Sequence, residues 1–132
     1  MRIRLRKADK LYTKIMRIIY DYTCQKCGRK YSEHDTVKLA NLGVSHYFKR
    51  RRESTRYDDN NCTLLCNFPC HHDWESEKRM EYVEYMLERL GLKGLEDLEL
   101  KSNTYCKRND ADTEEMLLKR LEGISPIGRK NR

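Results

Sequence analysis

Apolar side chains near the start of the chain return at helical spacing. Leu11, Ile15, Ile18, Ile19 and Tyr22 share one face, while Lys7, Lys10, Lys14 and Arg17 occupy another. The pattern predicts an amphipathic helix over 7–22, docked through its apolar stripe and basic on its solvated side. Over 37–48, β-branched and aromatic residues flank a turn at Asn41 to Gly43, which predicts a β-hairpin with His46 on its second strand. Thr63 to Leu65 is a short apolar run. From 73 to 90 the recurrence of Trp74, Met80, Val83, Met86, Leu87 and Leu90 predicts a second helix, stopped by Gly91. A leucine-rich turn or short helix is expected over 95–100. A last helix is expected over 113–122, with Met116, Leu117 and Leu121 inward and Asp112 and Glu115 at its start. Ser125 opens a short basic tail over 125–132. There is no internal repeat, and the expected class is α+β.

The chain has 132 residues, enough for one domain over 1–124, in which a first helix (7–22), a core (23–91) and a helical extension (92–124) follow in order. Hydrophobic residues are 38 % and charged residues 37 %, so the apolar core is thin and a metal crosslink would supplement it. A net charge of +7 favours a polyanionic partner, because Lys and Arg on phosphates release condensed counterions. No apolar run approaches the roughly 18 residues that span a bilayer, and the first ten residues lack the apolar core of a secretory signal. The expected location is the cytoplasm, where thiols stay reduced and closely spaced cysteines read as metal ligands.

Two close cysteine pairs stand far apart in sequence. Cys24 and Cys27 enclose two residues and precede Gly28, whose freedom allows the tight turn of a zinc knuckle; Cys66 and Cys70 enclose three. Together they predict a closed, structural four-thiolate zinc site, with Cys62 as a competing ligand. Cys106 has no partner in the pattern and is expected to be a free thiol. His46, Asn61 and His71 fall in that order around the cysteines. A run of cations, Lys49, Arg50, Arg51 and Arg52, is joined by Arg56 in a segment read as an exposed loop. Their nearness to His46 marks these five as DNA-phosphate contacts. His34 reads as a surface residue, Tyr47 and Phe48 as hairpin packing, and Trp74 as core.

The order His46, Asn61, His71 within a cysteine frame resembles the HNH nucleases. More closely, the stretches Lys7-Ala-Asp-Lys-Leu11, Cys24-Gln-Lys-Cys27-Gly28, Ser45-His46-Tyr47-Phe48, Thr55-Arg56-Tyr57-Asp58, Asn61 and Cys70-His71 are similar to phage recombination proteins of the NinG type. The similarity covers about 7–122 and is strongest from Cys24 to His71. It implies a small zinc-stabilised ββα-metal core with flanking α-helices. It also implies endonuclease action on branched DNA, such as Holliday junctions, or on other phage replication intermediates. A phage origin places the protein in the host cytoplasm, and the two cuts of junction resolution suggest a homodimer.

Phosphodiester hydrolysis needs an activated water, neutralised phosphate charge and a stabilised leaving oxygen. His46 is assigned as general base, and His71 as ligand of a catalytic Mg²⁺ or Mn²⁺. Asn61, with Asn60 as the adjacent alternative, either bonds backbone near His46 or offers its carbonyl to the cation. Arg56 would brace the scissile phosphate or an acid such as Asp58. Many HNH enzymes carry a ligating Asp or His before the base, where this chain has Ser45. The second ligand is then water, His72 or Glu75, with Glu75 preferred because it stands four residues after His71. The three-residue spacing before Cys70 leaves open which of His71 and His72 faces the ion. The alternative function is a zinc-ribbon DNA-binding or scaffold protein with a decayed nuclease site, for which Ser45 is the main argument.

Overall fold

The computed structural model describes residues 4–124, and the basic tail expected over 125–132 lies outside them. The fold is α+β: helices surround a two-stranded antiparallel sheet. The first helix, α1, runs Lys7–Ile19 and buries Ala8, Leu11, Tyr12, Ile15 and Met16 on one side. Its amino end is closed by Arg6, whose backbone N–H donates to Asp9 Oδ2 at 2.8 Å. The helix stops three residues before the expected Tyr22. Asp21 and Tyr22 adopt positive φ (53° and 54°) and reverse the chain into the cysteine knuckle, and Ile19 is left exposed.

The expected hairpin over 37–48 is not formed. Asp35 accepts from the Lys38 N–H and starts a single helical turn, α2 (Thr36–Leu39), which exposes Val37 and buries only Leu39. Strand β1 (Leu42–His46) pairs instead with β2 (Cys62–Cys66), so His46 ends the first strand, not the second. The register runs from Leu42 opposite Cys66 to His46 opposite Cys62. All five β2 residues are buried, because α1 lies on one side of the sheet and Tyr82 and Met86 lie in the core beyond it. A two-stranded sheet is marginal alone, and the helices that cover it supply its stability.

The helix expected over 73–90 is divided. A short α3 (His72–Glu75) breaks at Ser76, and α4 (Arg79–Ser102) follows. Gly91 interrupts α4 with φ 73° and ψ 167°, the expected stop, and the chain then resumes helix through Ser102, which covers the short helix expected over 95–100. Trp74 is buried and stacks on Tyr82 at 4.7 Å, whereas Met80 and Leu87 are exposed. The last helix, α5 (Asp110–Ile124), packs on α1 and starts earlier than 113 because Asn109 Oδ1 accepts from the Asp112 N–H. This cap replaces the one expected from Asp112 and Glu115. Leu117 is buried and Leu121 half-buried, but Met116 is exposed. No helix among the described residues is long and apolar enough to cross a membrane.

Arg56 is not a surface cation. It is 1 % exposed, and its Nε and Nη2 donate to the two Asp9 carboxylate oxygens at 2.9 and 2.6 Å. The partner is Asp9 of α1, not Asp58, and Tyr57 Oη also donates to Asp9, so that its carboxylate accepts four bonds with the one from the Arg6 backbone. Burial alone would raise the Asp9 carboxyl, but the bonds from Arg56, the Arg6 backbone and Tyr57 bring it down to about 2. Removing one charge of a buried pair strands the other, which costs about 3–5 kcal/mol, whereas replacing both by apolar residues costs far less. Asp9→Asn is therefore expected to lower unfolding free energy by about that amount in urea titrations, and Asp9→Leu with Arg56→Met to recover most of it. A single-variant loss below about 1 kcal/mol would remove the pair from the determinants of the fold.

Candidate metal centre and histidine cleft

The Sγ atoms of Cys24, Cys27, Cys66 and Cys70 lie within 4.8 Å of one another. Four thiolates at about 2.3 Å from a tetrahedral ion would stand about 3.8 Å apart, so the cluster can hold a metal ion such as zinc. Local backbone aims the first pair. The Gly28 N–H closes a turn onto the Cys24 carbonyl with Gly28 at φ 77°, and the Gln25 N–H ties the knuckle to Leu64 of β2. Burial opposes ionisation of Cys24, yet the N–H groups of Cys27, Cys66 and Lys26 bring its thiol down to about 7. Burial pushes Cys66 and Cys70 upward, and the neighbouring thiols push Cys70 further. A divalent ion held by the cluster would favour the thiolate at Cys66 and Cys70 despite that burial, since a coordinating thiol is deprotonated. Cys62 stands outside the cluster, fully buried beside the Arg56 carbonyl, with its thiol pushed up to about 12 by burial. Cys106 is exposed.

A cleft of about 410 Å³ opens next to this centre and is lined by Val44, His46, Lys49, Arg50, Arg51, His71 and Glu75. The end of β1 supplies His46. The turn that continues from Cys70 supplies His71, and α3 places Glu75 one turn later, so His71 Nε2 meets Glu75 Oε1 at 3.3 Å. His72 is exposed on another side, its ring 5.8 Å from Phe68. Glu75 also accepts from Ser45 Oγ at 3.3 Å and pairs with Lys49 through its other oxygen. Burial would raise its carboxyl, but His71 and Lys49 hold it down at about 2. Ser45 is itself fixed by Tyr82 Oη at 2.9 Å, a contact with no sequence signal.

His46 Nε2 lies 2.8 Å from the Arg56 carbonyl. A carbonyl only accepts, so Nε2 carries the proton and Nδ1 keeps a free lone pair. Burial, partly opposed by the bond to the Arg56 carbonyl and reinforced by the Arg50 charge, pushes the imidazole down to about 4. Asn61 is fully buried and braces the chain just beyond His46. Its Oδ1 accepts from the Phe48 N–H at 2.8 Å, and its Nδ2 donates to the carbonyls of Phe48 at 2.9 Å and Thr55 at 3.1 Å. The amide is thus engaged with backbone, and Asn60 is exposed.

No protein-family model matches the chain, and no curated protein or solved structure is detectably similar to it. The chemistry of the site therefore rests on its own geometry. Of the expected phosphate contacts, Arg50 and Arg51 line the cleft and Lys49 lines it while paired with Glu75, but Arg52 turns away to Asn103 at 2.6 Å. Arg56 is removed from the set because its guanidinium is buried against Asp9. Asp9 was visible in the sequence within Lys7-Ala-Asp-Lys-Leu11, beside a distant Arg56, but nothing in either stretch paired them. His34 is exposed, and Tyr47 packs edge-on against Phe48 and Tyr82, as expected for surface and core positions.

Two measurements check this geometry. The purified chain should carry one zinc per molecule by metal analysis, and strong chelation or Cys66→Ser should abolish its native circular dichroism. Structural zinc is worth on the order of 10 kcal/mol, comparable to a domain's net stability, and a native spectrum without metal would contradict the assignment. The depressed His46 pKa has a definite sign: the fold prefers the neutral ring, so this contribution is intact above about 6.5 and is lost as pH falls towards about 4. Imidazole ¹⁵N shifts should show the neutral Nε2–H tautomer still present at pH 5, and half-protonation near pH 6.5 would refute the burial argument.

Proposed function

We propose that the chain is a metal-dependent DNA endonuclease of the HNH type, acting on branched or recombination-intermediate DNA. The observation that carries this reading is the convergence of His46, His71 and Glu75 on one open cleft lined by Lys49, Arg50 and Arg51. The strand–strand–helix order of β1, β2 and α3 around those residues supports a ββα-metal core.

In this reading His46 acts through Nδ1, which takes the proton of the attacking water while Nε2 stays anchored on the Arg56 carbonyl. The imidazole is neutral at physiological pH and so ready to accept. An anionic phosphodiester beside it stabilises the imidazolium and raises its basicity when substrate is present. Asn61 holds the Phe48 backbone, which limits how far the ring can swing. Arg50 and Arg51 hold phosphate oxygens. His71 and Glu75 offer an imidazole nitrogen and a carboxylate oxygen 3.3 Å apart, a spacing compatible with two ligands of one ion. Mg²⁺ or Mn²⁺ bound there would neutralise the phosphate and the departing oxygen.

One contact favours the rival reading of a zinc-centred DNA binder: Lys49 engages the second oxygen of Glu75 and competes with a cation for it. The two are separated by a cleavage panel of duplex, single-stranded, forked and four-way DNA with Mg²⁺ or Mn²⁺. Branched DNA should be nicked or cut, and His46→Ala should lose cutting by about 10² or more while binding persists. Binding without cleavage of any substrate by the unaltered chain would favour the binder, and undiminished cutting by His46→Ala would refute the base assignment.

A further inference from the structure

The basic face of α1 was read from sequence as merely solvated. Among the described residues, Lys10 and Lys14 are exposed, and neither has an ion pair or a side-chain hydrogen bond. Both line a surface groove with Thr13 and Arg17. That groove does not end on the helix. Its members Asp9, Thr13 and Arg17 also line a second groove, which passes Leu42 and Val44 and reaches His46, Arg50 and His71. Val44, His46, Arg50 and His71 in turn line the histidine cleft. The three hollows form one trough from the outer face of α1 to the site.

The electrostatics of the trough are one-sided. Its two carboxylates are already matched, Asp9 by Arg56 and Glu75 by Lys49 and His71. Arg17 spends its donors on the carbonyls of Leu39 and Leu42 but keeps its charge. Lys10, Lys14 and Arg50 remain uncompensated. Arg50, where the second groove meets the cleft, carries a buried Nε with no hydrogen-bond partner among the described residues. A buried cationic donor without an acceptor is costly, and a phosphate oxygen would satisfy it.

We propose that this trough is the path of a DNA strand flanking the cut, with Lys10 and Lys14 holding phosphates away from the cleft and Arg50 holding one at its mouth. The inference rests on the nuclease reading for the partner's identity. It adds a binding surface on α1 to the loop after β1. The groove follows the edge where α1 meets β1, so the helix covers the core with its apolar face and presents Lys10 and Lys14 to the strand from its other side.

The test is the salt dependence of binding, measured by fluorescence anisotropy on a labelled linear duplex and a labelled four-way junction. The full chain is purified without chelator and assayed without added Mg²⁺ or Mn²⁺. Each phosphate contact contributes about 0.9 to the slope of log K against log salt on duplex DNA. Lys10→Gln with Lys14→Gln should therefore flatten the duplex slope by about 1.8. Lys93→Gln with Lys119→Gln removes the same charge from α4 and α5, where both lysines are ion-paired, and should leave the slope nearly unchanged. A trough variant with the slope of that control would overturn the proposal while leaving cleavage by the unaltered chain to stand. Failure of the unaltered chain to bind either DNA would overturn both readings. A flattened slope in a chain that cuts nothing would keep the trough and remove the nuclease.

Discussion

Four thiols, two from a knuckle after the first helix, one from the end of the second strand and one from the turn that follows it, meet within 4.8 Å, and the histidine cleft is arranged beside that meeting. The pairs are separated by about forty residues, so closing that loop carries a large entropic cost that a thin apolar core cannot easily meet. One ion bound with zinc's affinity at this cluster would offset it. The geometric result matters as much as the energy. Cys66 ends β2 and Cys70 precedes His71 directly, so whatever holds these sulfurs also sets where His71 and Glu75 stand relative to β1.

A second, independent link controls the other histidine. Arg56 faces two ways: its guanidinium is buried against Asp9 of α1, and its carbonyl receives His46 Nε2. The ion pair thereby fixes the stretch of backbone that selects the tautomer of His46. Arg56 is thus consumed in holding the fold, although it carries the same charge as its cleft-lining neighbours Arg50 and Arg51. Asn61 adds a third restraint by bonding both polar groups of the Phe48 backbone. The two sides of the cleft are set differently, by a cysteine cluster that can hold a metal ion on the His71 side and by buried polar bonds on the His46 side.

Charge in the cleft follows from this division. Burial keeps the His46 ring neutral, while Glu75 is held anionic by His71 and Lys49. A neutral imidazole beside an ionised carboxylate and the cations of Arg50 and Arg51 is an environment that any incoming anion would shift, because negative charge near the His46 ring favours its protonated form.

Much of this was legible from local pattern. The CxxC knuckle with its glycine, the apolar stripe of α1, the break at Gly91 and the order His46, Asn61, His71 all depend on spacings of a few residues, and such spacings survive folding. What the sequence could not express were choices between distant partners. Whether the strand of His46 pairs with 37–40 or with 62–66 depends on which segment can be buried on both faces, and Asp35 diverts the first into a helical turn. Whether Arg56 meets phosphate or protein depends on an acid 47 positions earlier, and which of two adjacent histidines faces the cleft depends on the hundred-degree step between helix neighbours. Spacing along the chain determined the chemistry available to this protein. Only tertiary packing decided which groups were consumed in holding the fold and which were left free to act, because burial and partner choice depend on segments that are remote in sequence.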